Sequence, residues 1–107
     1  MSISNEFDKL IKEREAIEYI ADWEHEPVIQ KMVKLFTSDM QETIKFLDHD
    51  CTEEQFSWLS EIFDDITKVA QSKEFIAALR RVAKKFPNAV NKYNLIYFID
   101  AAEELLE

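Results

Sequence analysis

Not one of the 107 residues is glycine. Such a chain has no residue that enters the left-handed backbone region freely, so tight β-hairpin turns are disfavoured along its whole length. Glycine-rich phosphate loops and the G-x-G-x-x-G turn of dinucleotide-binding folds are excluded outright. Helices joined by short connections are the natural alternative, and the apolar periodicity agrees with them.

About six amphipathic helices are expected from that periodicity. The first runs from about Asn5 to Ala21, with Phe7, Leu10, Ile11, Ile17 and Ile20 inward and Ser4 or Asn5 as its cap. The second begins at Pro27 and carries Val28, Ile29, Met32, Val33 and Phe36. Ser38 restarts the chain as a short third helix holding Met40, Ile44 and Leu47. Thr52-Glu53-Glu54-Gln55 is a capping box, opening a fourth helix that runs through Phe56, Leu59, Ile62, Phe63, Ile66, Val69 and Ala70. Ser72 caps a fifth, with Phe75, Ile76, Leu79, Val82, Ala83 and Phe86 inward, and Pro87 ends it. The last helix starts between Asn88 and Asn94 and ends near Leu106, burying Leu95, Ile96, Phe98, Ile99, Ala102 and Leu105. The expected fold is all-α: a single compact helical bundle over residues 1–107. Its neighbouring helices should be mostly antiparallel, because the connections are short.

No apolar run approaches the roughly 18–20 residues a membrane-spanning helix needs. The N-terminus lacks the basic start and apolar stretch of a signal peptide. The single cysteine, Cys51, has no internal disulfide partner, so the expected setting is the reducing cytoplasm. As a nucleophile Cys51 is unpromising, since Asp48 and Asp50 oppose thiolate formation.

The net charge is −9 and unevenly spread. Residues 48–71 hold seven acids and one base, whereas 72–93 hold one acid and six bases. On the fourth helix Glu54, Glu61 and Asp65 are spaced to form one outer stripe, with Asp64 and Ser57 beside it. Trp58 falls at the seam between that stripe and the apolar face. An aromatic ring edged by carboxylates suits a basic protein partner, the ring supplying buried area and the acids steering. The plainer reading is a boundary Trp beside a solvated face. Trp23, between Asp22 and Glu24, is a second candidate contact of the same kind, or else closes a corner between two helices.

The fifth helix places Lys73, Arg80 and Lys84 along one stripe, with Arg81 and Lys85 beside it. Direct nucleic-acid binding is disfavoured by the net charge and by the lack of a second basic element. Ion pairing with the acidic fourth helix is the expected use of these cations. No cofactor or metal site is expected: His25 and His49 are the only imidazoles, and Asp48-His49-Asp50-Cys51 is a turn whose adjacent residues do not converge on one ion. Asp64 and Asp65 point about 100° apart on a helix and do not form a catalytic pair. The expectation is therefore not an enzyme.

The segments Trp58-Leu59-Ser60-Glu61-Ile62-Phe63-Asp64, Gln71-Ser72-Lys73-Glu74-Phe75-Ile76, Lys84-Lys85-Phe86-Pro87 and Tyr93-Asn94-Leu95 resemble small acidic immunity proteins of bacterial polymorphic and contact-dependent toxin systems. The resemblance covers about residues 58–95. It implies a cytoplasmic protein that binds and neutralises a cognate basic toxin domain, commonly a nuclease, by masking its nucleic-acid-binding surface. The candidate partner-binding residues, taken from the acidic stripe and the two tryptophans, are Glu54, Trp58, Glu61, Asp64, Asp65 and Trp23. The competing readings are a generic helical adaptor or regulatory interaction domain, and a small enzyme with a site of unfamiliar form.

Overall fold

The computed structural model describes residues 2–16 and 26–107, and every regular element among them is helical. The elements are α1 (Ile3–Ala16), α2 (Glu26–Thr37), α3 (Met40–His49), α4 (Glu53–Leu59), a 3₁₀ turn (Ser60–Ile62), α5 (Phe63–Ala70), α6 (Lys73–Lys85), α7 (Pro87–Tyr93) and α8 (Leu95–Glu103). Two of the expected helices are each split in two. The fourth becomes α4 and α5 joined through the 3₁₀ turn, and the last becomes α7 and α8.

The start signals act as side-chain caps. Thr52 Oγ1 accepts the Gln55 N–H at 3.1 Å while Gln55 Oε1 accepts the Thr52 N–H at 3.0 Å. Ser72 Oγ accepts the Phe75 N–H at 3.0 Å. The third helix is capped one residue later than expected: Asp39 accepts the Glu42 N–H at 3.3 Å, and the Ser38 hydroxyl turns back to the Lys34 carbonyl. At α1 the Asn5 N–H is taken by Ser2 Oγ at 3.1 Å, and Ser4 instead accepts from Gln55 Nε2 at 3.1 Å. Gln55 is buried and also donates to Asp8 Oδ1 at 2.9 Å, so one amide fixes α1 against the start of α4. The end of the expected first helix, with Ile17 and Ile20, lies outside the described residues.

The split of the fourth helix falls at Ile62, which leaves helical geometry at φ −121° and ψ 11°, just after two serines whose hydroxyls bond back to the preceding turn. Ser57 Oγ donates to the Glu53 carbonyl at 3.1 Å and Ser60 Oγ to the Ser57 carbonyl at 2.6 Å. Hydroxyls bonded back to the preceding turn compete with the helical ladder and bend it. Past this break the helical register no longer continues from α4, and Val69, expected inward, is 64% exposed.

Without glycine, two residues among those described take left-handed conformations: Gln71 at φ 49° and Asn94 at φ 55°. Asparagine tolerates this region, whereas glutamine bears a strain of roughly 1–2 kcal/mol there. Gln71 is held by its side chain. Its Nε2 donates to the Thr67 and Leu105 carbonyls at 3.1 and 3.0 Å, and its Oε1 accepts the Glu107 N–H at 2.8 Å. Asn94 ends α7 and re-aims the chain into α8, so that Leu95, Ile99 and Ala102 face the core. Ile96 and Phe98, expected inward, are each 41% exposed, and Leu105 is half-buried.

The core holds two groups of aromatic rings. Phe36 lies 4.9 Å from Phe7 and 5.8 Å from Phe46, and Phe56 packs on Phe63 at 5.6 Å. The buried hydroxyls of Thr43 and Thr67 donate to the Phe36 and Phe63 carbonyls. α6 buries six side chains and packs on α3 and α8, not along α5. The expected pairing of consecutive, oppositely charged helices is accordingly replaced. Arg81 forms a bidentate pair with Asp48 on α3 at 2.9 and 3.1 Å, and Arg80 bridges Asp100 and Glu103 on α8 at 2.9 and 2.7 Å.

Phe63→Ala should cost about 3–5 kcal/mol in urea unfolding, because the side chain is fully enclosed. Tyr97→Ala, at a residue 61% exposed, should stay within about 0.5 kcal/mol of the parent. At the left-handed turn, Gln71→Ala should destabilise by about 1–2 kcal/mol and Gln71→Gly by less, because glycine removes the φ strain while both lose the side-chain ties. The Arg81 hydrogen bond holds the Asp48 carboxyl below its ordinary 3.8. A carboxyl lowered by folding stabilises at neutral pH and ceases to do so as pH falls through its folded value. The stability difference between the parent and Asp48→Asn, under about 1 kcal/mol for so exposed a pair, should be complete at pH 7 and should fade as pH drops below 3.8 through the lowered folded value.

Candidate functional site

The bend between α4 and α5 opens one wall of a groove of about 620 Å³. α4 and the 3₁₀ turn supply Glu53, Glu54, Ser57, Trp58 and Glu61, and the opposite wall comes from α7 and α8, with Ala89, Lys92, Tyr93 and Phe98 prominent. The groove thus has three aromatic rings along its sides and three carboxylates on one rim.

Trp58 is half-buried and packs against the core. The Arg14 guanidinium of α1 lies 5.9 Å from its ring centroid, close enough for cation–π attraction. The same guanidinium binds Glu61 through two hydrogen bonds, Nη2 to Oε1 at 3.0 Å and Nε to Oε2 at 3.3 Å. Only 15% of the Arg14 side chain is exposed, so this Arg–Trp–carboxylate set ties α1 to the bend. Glu61 therefore carries an internal ion pair, whereas among the described residues Glu53 and Glu54 have none. Lys92 on the facing wall stands 5.2 Å from the Tyr93 ring.

Past the groove, α8 carries apolar residues on its outer side as well as on its buried one. Tyr97 and Phe98 form an edge-to-face pair at 5.4 Å, and Ile96 is exposed beside them. Exposed aromatics next to a carboxylate rim form a surface with an apolar part and a charged part in contact.

The candidate residues are distributed as follows. Glu54, Trp58 and Glu61 meet in this groove. Asp65, expected on the same stripe, lies past the bend in a second, shallower groove with Ile29, Val33, Lys34, Lys68 and Val69. Asp64 is exposed and lines neither groove. The expected single acidic stripe is therefore two separate surfaces, because its seven-and-four spacing assumed an unbroken helix. Trp23 and His25 lie outside the described residues. Sequence reasoning missed Glu53, Tyr93, Phe98 and Tyr97. Their signal was the density of aromatics on either side of Asn94, a residue that admits the left-handed turn which faces them outward.

The basic face of α6 is largely committed to the fold, with Arg80 and Arg81 in ion pairs and Lys85 donating to the Asp48 carbonyl. Burial pushes the Cys51 thiol up to about 12 and keeps it protonated at neutral pH. Among the described residues no three His, Cys, Asp or Glu side chains gather as a metal-binding group, and no helix is long and apolar enough to cross a membrane. Comparison with known protein families, characterised proteins and solved structures gives no match.

The different states of Glu61 and Glu54 lead to different outcomes on charge reversal. Glu61→Lys should lower the melting temperature by several degrees, because it places two cations together beside Trp58. Glu54→Lys, on an exposed first turn, should leave it within about two degrees.

Proposed function

We propose that this chain is a stoichiometric protein inhibitor: an immunity protein that binds and neutralises a basic toxin domain through the acidic, aromatic-walled groove between α4 and α7–α8. The observation that carries the proposal is the position of Trp58, half-buried at the seam of the groove beside Glu53 and Glu54, which have no ion-pair partner among the described residues. An enclosed aromatic is the usual anchor of a protein interface, and unpaired surface acids accelerate encounter with a basic partner. The net charge of −9 adds long-range attraction toward such a partner and repulsion from nucleic acid. The sequence resemblance to acidic immunity proteins supports the same reading, as does the internal use of the α6 arginines, which leaves the basic face without a free cluster.

Co-expression with the product of the neighbouring gene tests the proposal. That product should be toxic alone, and this chain should suppress the toxicity and co-purify with it in a one-to-one complex. An ordinary metabolic neighbour, with neither toxicity nor complex, would sink it. In the complex, Glu53→Lys with Glu54→Lys should slow association by about tenfold or more, while Trp58→Ala should chiefly speed dissociation. Raising salt should weaken binding through the on-rate, since screening confines attraction to about 8 Å at physiological strength.

A further inference from the structure

We infer that the groove and the exposed edge of α8 together form one docking surface for an amphipathic helix of the partner, with basic side chains against Glu53 and Glu54 and aliphatic side chains against Tyr97 and Phe98. The inference rests on the proposed binding of a basic protein and specifies which element of that protein is received. Three observations lead to it. Glu53 and Glu54 are exposed on the first turn of α4 without an ion-pair partner among the described residues, and the Trp58, Tyr93 and Phe98 rings wall the groove beside them. From Phe98 the apolar surface continues outward onto Tyr97, 61% exposed, so charge and grease lie side by side. Lastly, the protein already performs such recognition within itself: Arg14, projecting from a helix, lies over Trp58 and binds Glu61.

A helix suits this surface because its side chains at i, i+3, i+4 and i+7 present two chemically distinct stripes to one groove. A second copy of this chain does not suit it. Two molecules each of net charge −9 would bring their Glu53 and Glu54 rims together, and like charges oppose that association. Nucleic acid is repelled by the same carboxylates.

The test uses the ¹⁵N-labelled full chain and three synthetic peptides. One is a Lys/Leu amphipathic helix of about four turns; the second has Glu in place of Lys; the third is oligolysine of equal charge. The Lys/Leu helix should shift the amide signals of Glu53, Glu54, Tyr93, Tyr97 and Phe98 together with the Trp58 indole. Its affinity should fall about tenfold in Glu54→Lys, and a loss in Tyr97→Ala should persist at high salt. The two variants alter exposed residues, and their amide spectra verify the fold. Equal binding of the Glu/Leu peptide would reduce the surface to apolar adhesion and overturn the inference. Equal binding of oligolysine would remove the role of α8 and overturn it as well. Concentration-dependent shifts of these signals without peptide would mean that a second copy covers the surface, which is equally incompatible with it. If the neighbouring toxin is neutralised and Glu53→Lys with Glu54→Lys slows its association, yet Tyr97→Ala changes nothing and the Lys/Leu helix does not bind, this inference fails and the proposed function stands. If the peptide binds as described but no toxin is neutralised, the reverse holds.

Discussion

The packing of α6 decides where the charges of this molecule go. Its thirteen residues bury Phe75, Ile76, Ala78, Leu79, Val82 and Ala83, a face wide enough to be covered by α3 on one side and α8 on the other. Burial of six apolar side chains far outweighs any set of exposed ion pairs, so the apolar face fixes the neighbours and the charges adapt to them. Arg80 and Arg81 flank that face and consequently reach the acids of α8 and α3. The carboxylates on α4, which a pairing of consecutive helices would have neutralised, are left facing solvent at the rim of a groove. An exposed acidic rim follows from the placement of a hydrophobic face.

Much of the fold is legible in the sequence, for a definable reason. Caps are local: Thr52 with Gln55 and Ser72 with Phe75 act within four residues, and they stand where the sequence places them. The 3.6-residue period identifies Phe56, Leu59, Phe63, Leu79 and Val82 as core without knowledge of any neighbour. What escapes is what depends on a hydroxyl's choice or on a distant partner. Ser57 and Ser60 read as ordinary helical positions until their hydroxyls are seen on the preceding carbonyls. That choice bends the rod, separates Asp65 from Glu54 and Glu61, and turns Val69 outward. In the same way Asn94 looks like one of several possible starts for a last helix. Its left-handed backbone resolves the ambiguity by splitting that helix and exposing Ile96 and Phe98. The candidate site was thus half legible: its tryptophan and acidic rim were visible, its facing aromatic wall was not.

Within the site, position alone separates chemically identical groups. Glu61 and Glu54 are both on the groove, yet Glu61 is engaged by Arg14 and holds α1 to the 3₁₀ turn, while Glu54 has no ion-pair partner among the described residues. The Arg14 guanidinium also occupies one approach to Trp58, which limits the ring's availability to the side that lines the groove. A carboxylate beside a tryptophan is therefore insufficient as a mark of binding; what distinguishes a recognition residue from a structural one here is whether the protein has already answered its charge.

The two left-handed residues bear on how the chain reaches this state. An unfolded chain without glycine samples a narrower range of backbone states than a glycine-containing chain of its length, so it has less conformational entropy to lose on folding. The same narrowness means that Gln71 seldom visits its native well before the structure exists, whereas Asn94 reaches its own more readily. The joint between α5 and α6 is thus a poor nucleation point, and local turn preference cannot direct the chain through it. Its geometry is imposed by the helices on either side and by residues 34 and 36 positions further along the chain. That joint is consequently closed by the completed fold, and it holds Leu105 and Glu107 in return.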